Sequence, residues 1–388
     1  VSFYVTTIVL LTFITMSIFI IWSYFHDSNL SVLKYFIAAL VIAIPLSEVI
    51  ISILNWSITH LVSPSIIPKL EFKNGISQEV STAVIIPTII SDEKRSKELV
   101  ESMEQYYLSN KEENLYFVLL GDYKDSEFEV NAEDDDISKC CIYEVEKLNK
   151  KYCDGNNKKF FFLCRHRVFN KKENTWIGWE RKRGKIEEFN KLLKGDSDTT
   201  YTIRSSTIEN LKKVKYIITL DADTILPRET AKTLISAMAH PLNKPYFDEN
   251  GKKIIRGYGL MQPRISVSVL SANKTYFSKI FSGETGLDIY TTAVSDIYQD
   301  LFGEGIFTGK GIYDIDIFNT MLSNNIPDNT VLSHDLLEGS YVRTALLTDV
   351  ELIDGYPAYY MSSFKRLHRW VRGDWQLLPW LYRKSPIN

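Results

Sequence analysis

The sequence predicts an α/β domain on a largely parallel sheet, set behind two membrane-crossing helices. Three observations predict it. The opening run VSFYVTTIVLLTFITMSIFIIWSYF carries no charge and is long enough to cross a bilayer as a helix. A second apolar run, Tyr35 to about Val62, holds one acid, Glu48, and Pro45, where the span can kink. From Pro64 onward, short apolar runs alternate with helical stretches, the pattern of a parallel sheet with crossover helices.

Each element has its own signal. The first run lacks the basic start of a signal peptide and exceeds its usual apolar core, so a membrane helix is the better reading. Its connection to the second run, His26 to Lys34, is too short and neutral to orient the pair by positive charge. Thr82–Pro87 (TAVIIP), Leu115–Leu120, Phe160–Cys164 and Tyr216–Leu220 read as strands, and Lys94–Tyr107 as a helix. Asn131–Asp136 (NAEDDD) reads as loop. In open sheets of this kind, ligands bind beyond the carboxyl ends of the strands. Thr88, then Gly121-Asp122-Tyr123-Lys124-Asp125, then Asp221-Ala222-Asp223 follow three of the strands, so polar and acidic groups gather at one rim.

The bulk properties exclude other classes. A net charge of −3 gives no polycationic signature of a nucleic-acid binder. Cys140, Cys141, Cys153 and Cys164 lack C-x-x-C spacing and read as free thiols. The first residue is Val, so a piece of a longer protein is expected.

Five segments carry chemistry. In TLDADT, Asp221 and Asp223 lie two residues apart on an extended chain end and point the same way. A divalent cation between them would offset their repulsion and hold phosphate oxygens; capping of the helix near Pro227-Arg228-Glu229 is the alternative. In TWIGWERKRGKIEEFN, Arg181-Lys182-Arg183 and Lys185 suit a diphosphate, or form a basic turn before a helix over Ile186–Leu193. GEGIFTGKGIYDID allows close backbone approach to a ligand but lacks the ending of a P-loop. Asp335 precedes an apolar helical stretch and can cap it or carry a proton, with His334 beside it. In FKRLHRWVRGDWQLLPWL, Arg366, Arg369 and Arg372 share one helical face, suiting a membrane interface or an anionic leaving group.

In this order the segments resemble the processive family 2 glycosyltransferases, with D-x-D, then an acid of T-E-D type, then (Q/R)-x-x-R-W. Gln262-Pro263 resembles their Q-x-P strand, and Arg183-Gly184-Lys185 with Asn190 their R-G-K-x-x-x-x-N segment. The wording WIGWERKRGKIEEFN, LDADTILPRETA, GLMQPR, GEGIFTGKGIYD, LSHDLLEG and RLHRWVRGDWQ is closer still to cyclic β-1,2-glucan synthases, glycosyltransferase family 84. That resemblance runs from about Pro64 to the end. His334 stands where the wider pattern has Glu, which leaves its role open; Arg366 stands where the pattern often has Gln.

The resemblance implies a GT-A fold: a Rossmann-like, mostly parallel sheet with flanking helices over residues 63–360. Two transmembrane helices over 1–62 precede it, and an amphipathic interfacial helix over 361–388 follows. It implies an inverting transfer of glucose from UDP-glucose to a growing β-1,2-glucan with Mg²⁺ or Mn²⁺, at the inner membrane with the catalytic domain cytosolic. Further transmembrane and phosphorylase-like modules are expected in the full-length protein. Asp335 is the implied base, and Asp221 and Asp223 the metal ligands. Asp122, Arg183, Lys185, Arg366 and Arg369 would bind the donor and its diphosphate. Trp370, Phe307 and Trp179 would form the acceptor platform, and Lys310 would touch acceptor or donor. Another membrane polysaccharide synthase, with β-1,4 or β-1,3 linkage or another sugar nucleotide, would share this frame. A non-catalytic scaffold would be expected to have lost D-x-D or the base, and both are present.

Overall fold

A computed structural model of the chain describes residues 1–26, 32–155, 157–282, 297–323 and 325–381. It divides into two units, the first holding residues 1–65 and 295–303. There α1 (Ser2–His26) and α2 (Val32–Leu61) are each long and apolar enough to cross a membrane. The second helix runs on through Pro45. The Tyr4 hydroxyl donates to Asn55 Oδ1 at 2.5 Å, tying the two helices together. The backbone N–H of Ser65 donates to Asp300 at 2.6 Å. Most of the expected His26–Lys34 connection lies outside the described residues.

The second unit is built on an eight-stranded sheet. In chain order its strands and two small hairpins are β1 (Thr82–Ile90), β2 (Leu115–Tyr123), β3 (Phe160–Arg165), β4 (Val168–Asn170), β5 (Thr175–Ile177), β6 (Tyr201–Arg204), β7 (Tyr216–Thr219), β8 (Tyr246–Phe247), β9 (Ile254–Arg256), β10 (Leu260–Val267), β11 (Gly311–Asp314) and β12 (Thr344–Asp354). The sheet order is β12-β10-β11-β7-β1-β2-β3-β6, with β4–β5 and β8–β9 set apart as hairpins. The central strands are continuous apolar runs because both faces are covered. Val84, Ile86, Phe117, Leu119, Phe160 and Ile218 pack in one layer, with α3 (Glu93–Ser109), α4 (Asp134–Tyr152) and α6 (Thr230–Met238). The alternate residues Ala83, Ile85, Val118, Leu120, Phe161 and Ile217 pack in the other, with α5 (Arg181–Leu193) and the helix Ile315–Leu322.

Strand direction fixes what meets at the rim. Strands β1, β2, β3 and β7 run parallel. Strand β11 runs antiparallel between β7 and β10, and β12 is parallel to β10. The carboxyl ends of β2, β7 and β12 therefore share a rim with the entrance to β11. This is the Rossmann-like, mostly parallel sheet of the GT-A expectation.

Three local expectations change. The NAEDDD run opens α4 rather than forming loop throughout, with Asp134, Asp135 and Asp136 in the first turn, where carboxylates favour the helix dipole. Helix α5 begins at Arg181, not Ile186. Strand β12 is an element beyond the sequence reading, because Asp349 and Glu351 interrupt its apolar run. All four cysteines are free. The helix Tyr360–Gln376 and a short turn Leu378–Leu381 occupy the expected C-terminal segment; 382–388 lie outside the described residues.

Gly311 admits β11 to the sheet: a Cβ there would lie 2.2 Å from the Met261 carbonyl oxygen on β10. Gly311→Ala should cost about 1–3 kcal/mol as an overpacking change, measured as a lowered thermal midpoint of the solubilised chain.

Candidate active site

Strand β7 continues past Thr219 when the Leu220 N–H donates to the Ile85 oxygen at 3.1 Å, and the chain then turns with Thr224 N–H on the Asp221 oxygen. Helix α6 starts only at Thr230 and has no side-chain cap. The alternative in which Asp223 or Thr224 caps that helix therefore falls away. Lys182 Nζ lies 2.6 Å from Asp221 Oδ1 and donates to the Gly309 carbonyl at 3.0 Å. Lys310 Nζ lies 3.2 Å from Asp221 Oδ2 and also pairs with Asp354. Burial pushes the Asp221 carboxyl up, but the two lysines outweigh it and hold the pKa at about 2.

Asp354 ends β12 and accepts from the Thr224 hydroxyl at 2.6 Å. Ile225 and Ile353 form an antiparallel bridge. Those two contacts draw the end of β12 against the D-x-D turn. Asp223 is exposed on that turn, and a Cβ on Gly355 would lie 3.4 Å from its Oδ2. Partial burial, then the charges of Asp354 and Asp221, raise its carboxyl above the ordinary value. Arg366 stands in the field of the same two acids, Asp223 and Asp354. Burial pushes its guanidinium down and the acids only partly offset that. It is stacked between Tyr356, 5.5 Å from the ring centre, and Trp370, 4.8 Å away.

Asp335 opens the helix Asp335–Val342, whose preceding residue His334 makes no side-chain cap. The Asp335 carboxylate instead lies against Gly309, where φ is +88° and a Cβ would come within 2.8–2.9 Å of it. Only glycine suits both the angle and the approach. The helix bearing Arg366 is docked alongside. Gly373 packs so closely that a Cβ would meet Ser333 Oγ at 2.1 Å, and Leu332 N–H donates to Gln376 Oε1 at 2.8 Å. Gln262 holds the glycine loop from beneath, accepting from the Thr308 N–H at 3.0 Å.

Other expected residues sit elsewhere. Asp122 is 5% exposed, gripped by Arg165 at 2.7 and 2.8 Å and by Lys185 at 3.1 Å. Lys185 also donates to the Thr88 oxygen at 2.5 Å. Both therefore lie beneath the rim, not open to a uracil or ribose. Arg183 is a correction. It turns away from the acids to Glu180 at 2.8 Å and Asp328 at 3.4 Å, because its helical phase differs from that of Lys182 and Lys185. Phe307 is a second correction: at 2% exposure it belongs to the core under the site and has no face for a sugar. Trp179 braces the start of α5, with Cε3 where a Gly184 Cβ would be, 2.7 Å away. Arg369 is exposed one turn beyond Arg366, and Trp370 is partly exposed with Arg366 over its ring.

Asp354 joins the site beyond the sequence expectations, and Lys182 is the cation of Arg181-Lys182-Arg183 that reaches Asp221. Lys182 was legible only as one of three adjacent cations, and Asp354 only as the acid before Gly355. The carboxylates of Asp221, Asp223 and Asp354 are hard oxygen donors of the kind Mg²⁺ or Mn²⁺ takes, but among the described residues the group of three whose ligand atoms converge is a different one. Asp221 already faces two lysines at 2.6 and 3.2 Å, whereas Asp223 has no such ion pair among the described residues and would be the freer of the two to hold a cation. His334, Asp335 and Glu338 offer ligand atoms within 4.8 Å of one another. Their charges already pair, with His334 Nδ1 2.8 Å from Glu338 Oε1.

No family model matches the chain. It is 39% identical over 381 residues to "Cyclic beta-(1,2)-glucan synthase NdvB" from Rhizobium meliloti (strain 1021), covering 98% of this chain. The chain spans about 13% of the length of that relative. Two crystal structures of S. aureus TarS 1-349, one in complex with UDP, align at a TM-score of 0.35 and 11% and 10% identity. Each alignment covers 71% of this chain and 60% of the other.

The Asp122 cluster makes a stability prediction. Asp122→Asn leaves Lys185 buried without its anion and Arg165 with only Glu188 at 3.7 Å, and should cost about 3–5 kcal/mol. Burial pushes the Asp122 carboxyl up, but Lys185 and Arg165 outweigh it and hold the pKa below its ordinary value. In the wild type the contribution is thus present above about pH 4 and lost as pH falls through the lowered pKa. Chemical denaturation against pH should show that acid loss in the wild type and not in the variant.

Proposed function

We propose that the chain, related over nearly its whole length to part of a cyclic β-(1,2)-glucan synthase, is a glycosyltransferase that transfers glucose from UDP-glucose to a growing β-1,2-glucan at a membrane. The observation that supports the reading most is the meeting, at one sheet rim, of the D-x-D acids and Asp335 on either side of the Lys182–Gly309 contact. UDP-glucose is α-linked, so a β product requires inversion in a single displacement.

This chain's residues then divide the work. Asp335, backed onto Gly309, accepts the proton of the attacking acceptor 2-hydroxyl. Lys310 and Arg366 face the departing diphosphate and stabilise its growing charge. Asp223, with Asp354 beside it, would hold the Mg²⁺ or Mn²⁺, and the bound ion would neutralise diphosphate oxygens. Asp221 keeps Lys182 and Lys310 at the rim. The ring of Trp370, stiffened by Arg366, offers the acceptor an apolar face. The helices α1 and α2 anchor the unit in a bilayer, with the catalytic domain on the cytosolic side.

The test is incubation of the membrane-reconstituted chain with radiolabelled UDP-glucose and Mg²⁺ or Mn²⁺, followed by linkage analysis. A β-1,2 product is expected; a β-1,3 or β-1,4 product overturns the linkage. Asp335→Asn should bind UDP-glucose nearly as well as wild type and lose transfer by about 10²–10⁴-fold; normal turnover would remove Asp335 from its role. Asp223→Ala should weaken donor binding and abolish its dependence on added metal. Activity that persists in excess EDTA would rule the ion out.

A further inference from the structure

Immediately behind Asp335 are two buried titratable side chains that the transfer reaction leaves unused. His334 is 6% exposed and Glu338 3%. They lie four residues apart on one helical face, with Glu338 N–H donating to the His334 oxygen at 3.0 Å. His334 Nδ1 is 2.8 Å from Glu338 Oε1 and 3.5 Å from Asp335 Oδ1. Asp335 Oδ1 is itself buried with no hydrogen-bond donor, and His334 Nδ1 has no well-aligned partner, so these contacts are charge pairs. An ionised carboxylate oxygen buried without a donor is costly unless a cation stands near it. The imidazole is placed to be that cation, and Glu338 to balance its charge.

We propose that His334, held by Glu338, is a positioning residue that fixes Asp335 by its inner oxygen, leaving the outer one for the acceptor hydroxyl. This rests on the reading of Asp335 as the base. The groups facing His334 are Glu338 and Asp335 on its own helix and Lys182 from α5; Tyr313 of β11 faces Glu338. Burial and Lys182 push the imidazole down, but Glu338 and Asp335 outweigh them and raise it above its ordinary value. The working form is the imidazolium, so transfer is lost on the alkaline side.

The test is the pH profile of kcat in the reconstituted chain, with UDP-glucose affinity measured by calorimetry. Glu338→Gln removes the charge that holds the proton, so the alkaline limb should move to lower pH with donor affinity unchanged. His334→Gln should lower kcat by up to about 10²-fold through misplacement of the carboxylate, and abolish that limb, again at unchanged donor affinity. An unmoved limb in Glu338→Gln, or wild-type kcat in His334→Gln, overturns the proposal. Loss of donor binding in one variant leaves the decision to the other. Asp335→Asn separates the premises: if it is inactive while Glu338→Gln keeps the wild-type profile, the base stands and the positioning pair falls.

Discussion

The pairing of Asp221 with Lys182 and Lys310 holds the rim together. It is one carboxylate between two ammonium groups, at 2.6 and 3.2 Å, but each partner arrives on a different element. Lys182 comes from the first turn of α5, and Lys310 from the loop that enters β11. Lys310 then carries the link to Asp354 at the end of β12. Lys182 reaches the backbone of Gly309, the residue against which Asp335 lies. In a half-buried site such pairs are stronger than on an open surface, because less water screens them. Removing Asp221 would leave two lysines close together, with Asp354 beside Lys310 and Asp335 near Lys182 to offset them in part.

A second charge cluster supports the first from below. Asp122, Arg165 and Lys185 take carboxylate, guanidinium and ammonium out of water, which is expensive unless geometry is good. The two-point grip of Arg165 on Asp122 and the Lys185 contact with the Thr88 oxygen supply that geometry. Because Lys182 and Lys185 are three residues apart on α5, fixing Lys185 beneath the sheet rim also sets where Lys182 projects. Helix phase thus transmits the position of a buried ion cluster to the exposed site.

Much of this was legible in the chain itself. An apolar run such as YIITL that stops at two acids has few explanations, and the spacing of Asp335 and Arg366 beyond it narrows them. The misreadings have physical causes. Arg183 and Lys182 are adjacent cations, and composition cannot say which faces the acids until the helix start is known; α5 begins at Arg181, with positive φ at its N-cap Glu180 and at Arg181 itself. Phe307 lies in a loop rich in glycine, where exposure is the natural expectation, yet Gly339 leaves room for it to sink into the core. Strand β12 was hidden because its far end is partly exposed and carries acids.

What the sequence by itself determined is the order of elements and the chemistry of each segment: two apolar spans, buried strands in both layers, and acids, glycines and arginines in turn. Those depend on local periodicity and residue type, which the chain carries in its own spacing. Tertiary structure alone decided which charges meet. The antiparallel insertion of β11 between β7 and β10 brings Lys310 to Asp221, and the bridge between Ile225 and Ile353 brings Asp354 to Asp223. Charge pairing acts through a few ångströms of space, and β7 and β12 are separated in the sheet by β11 and β10, so Asp221 and Asp354 are linked only because the folded chain sets Lys310 between them and bridges Ile225 to Ile353.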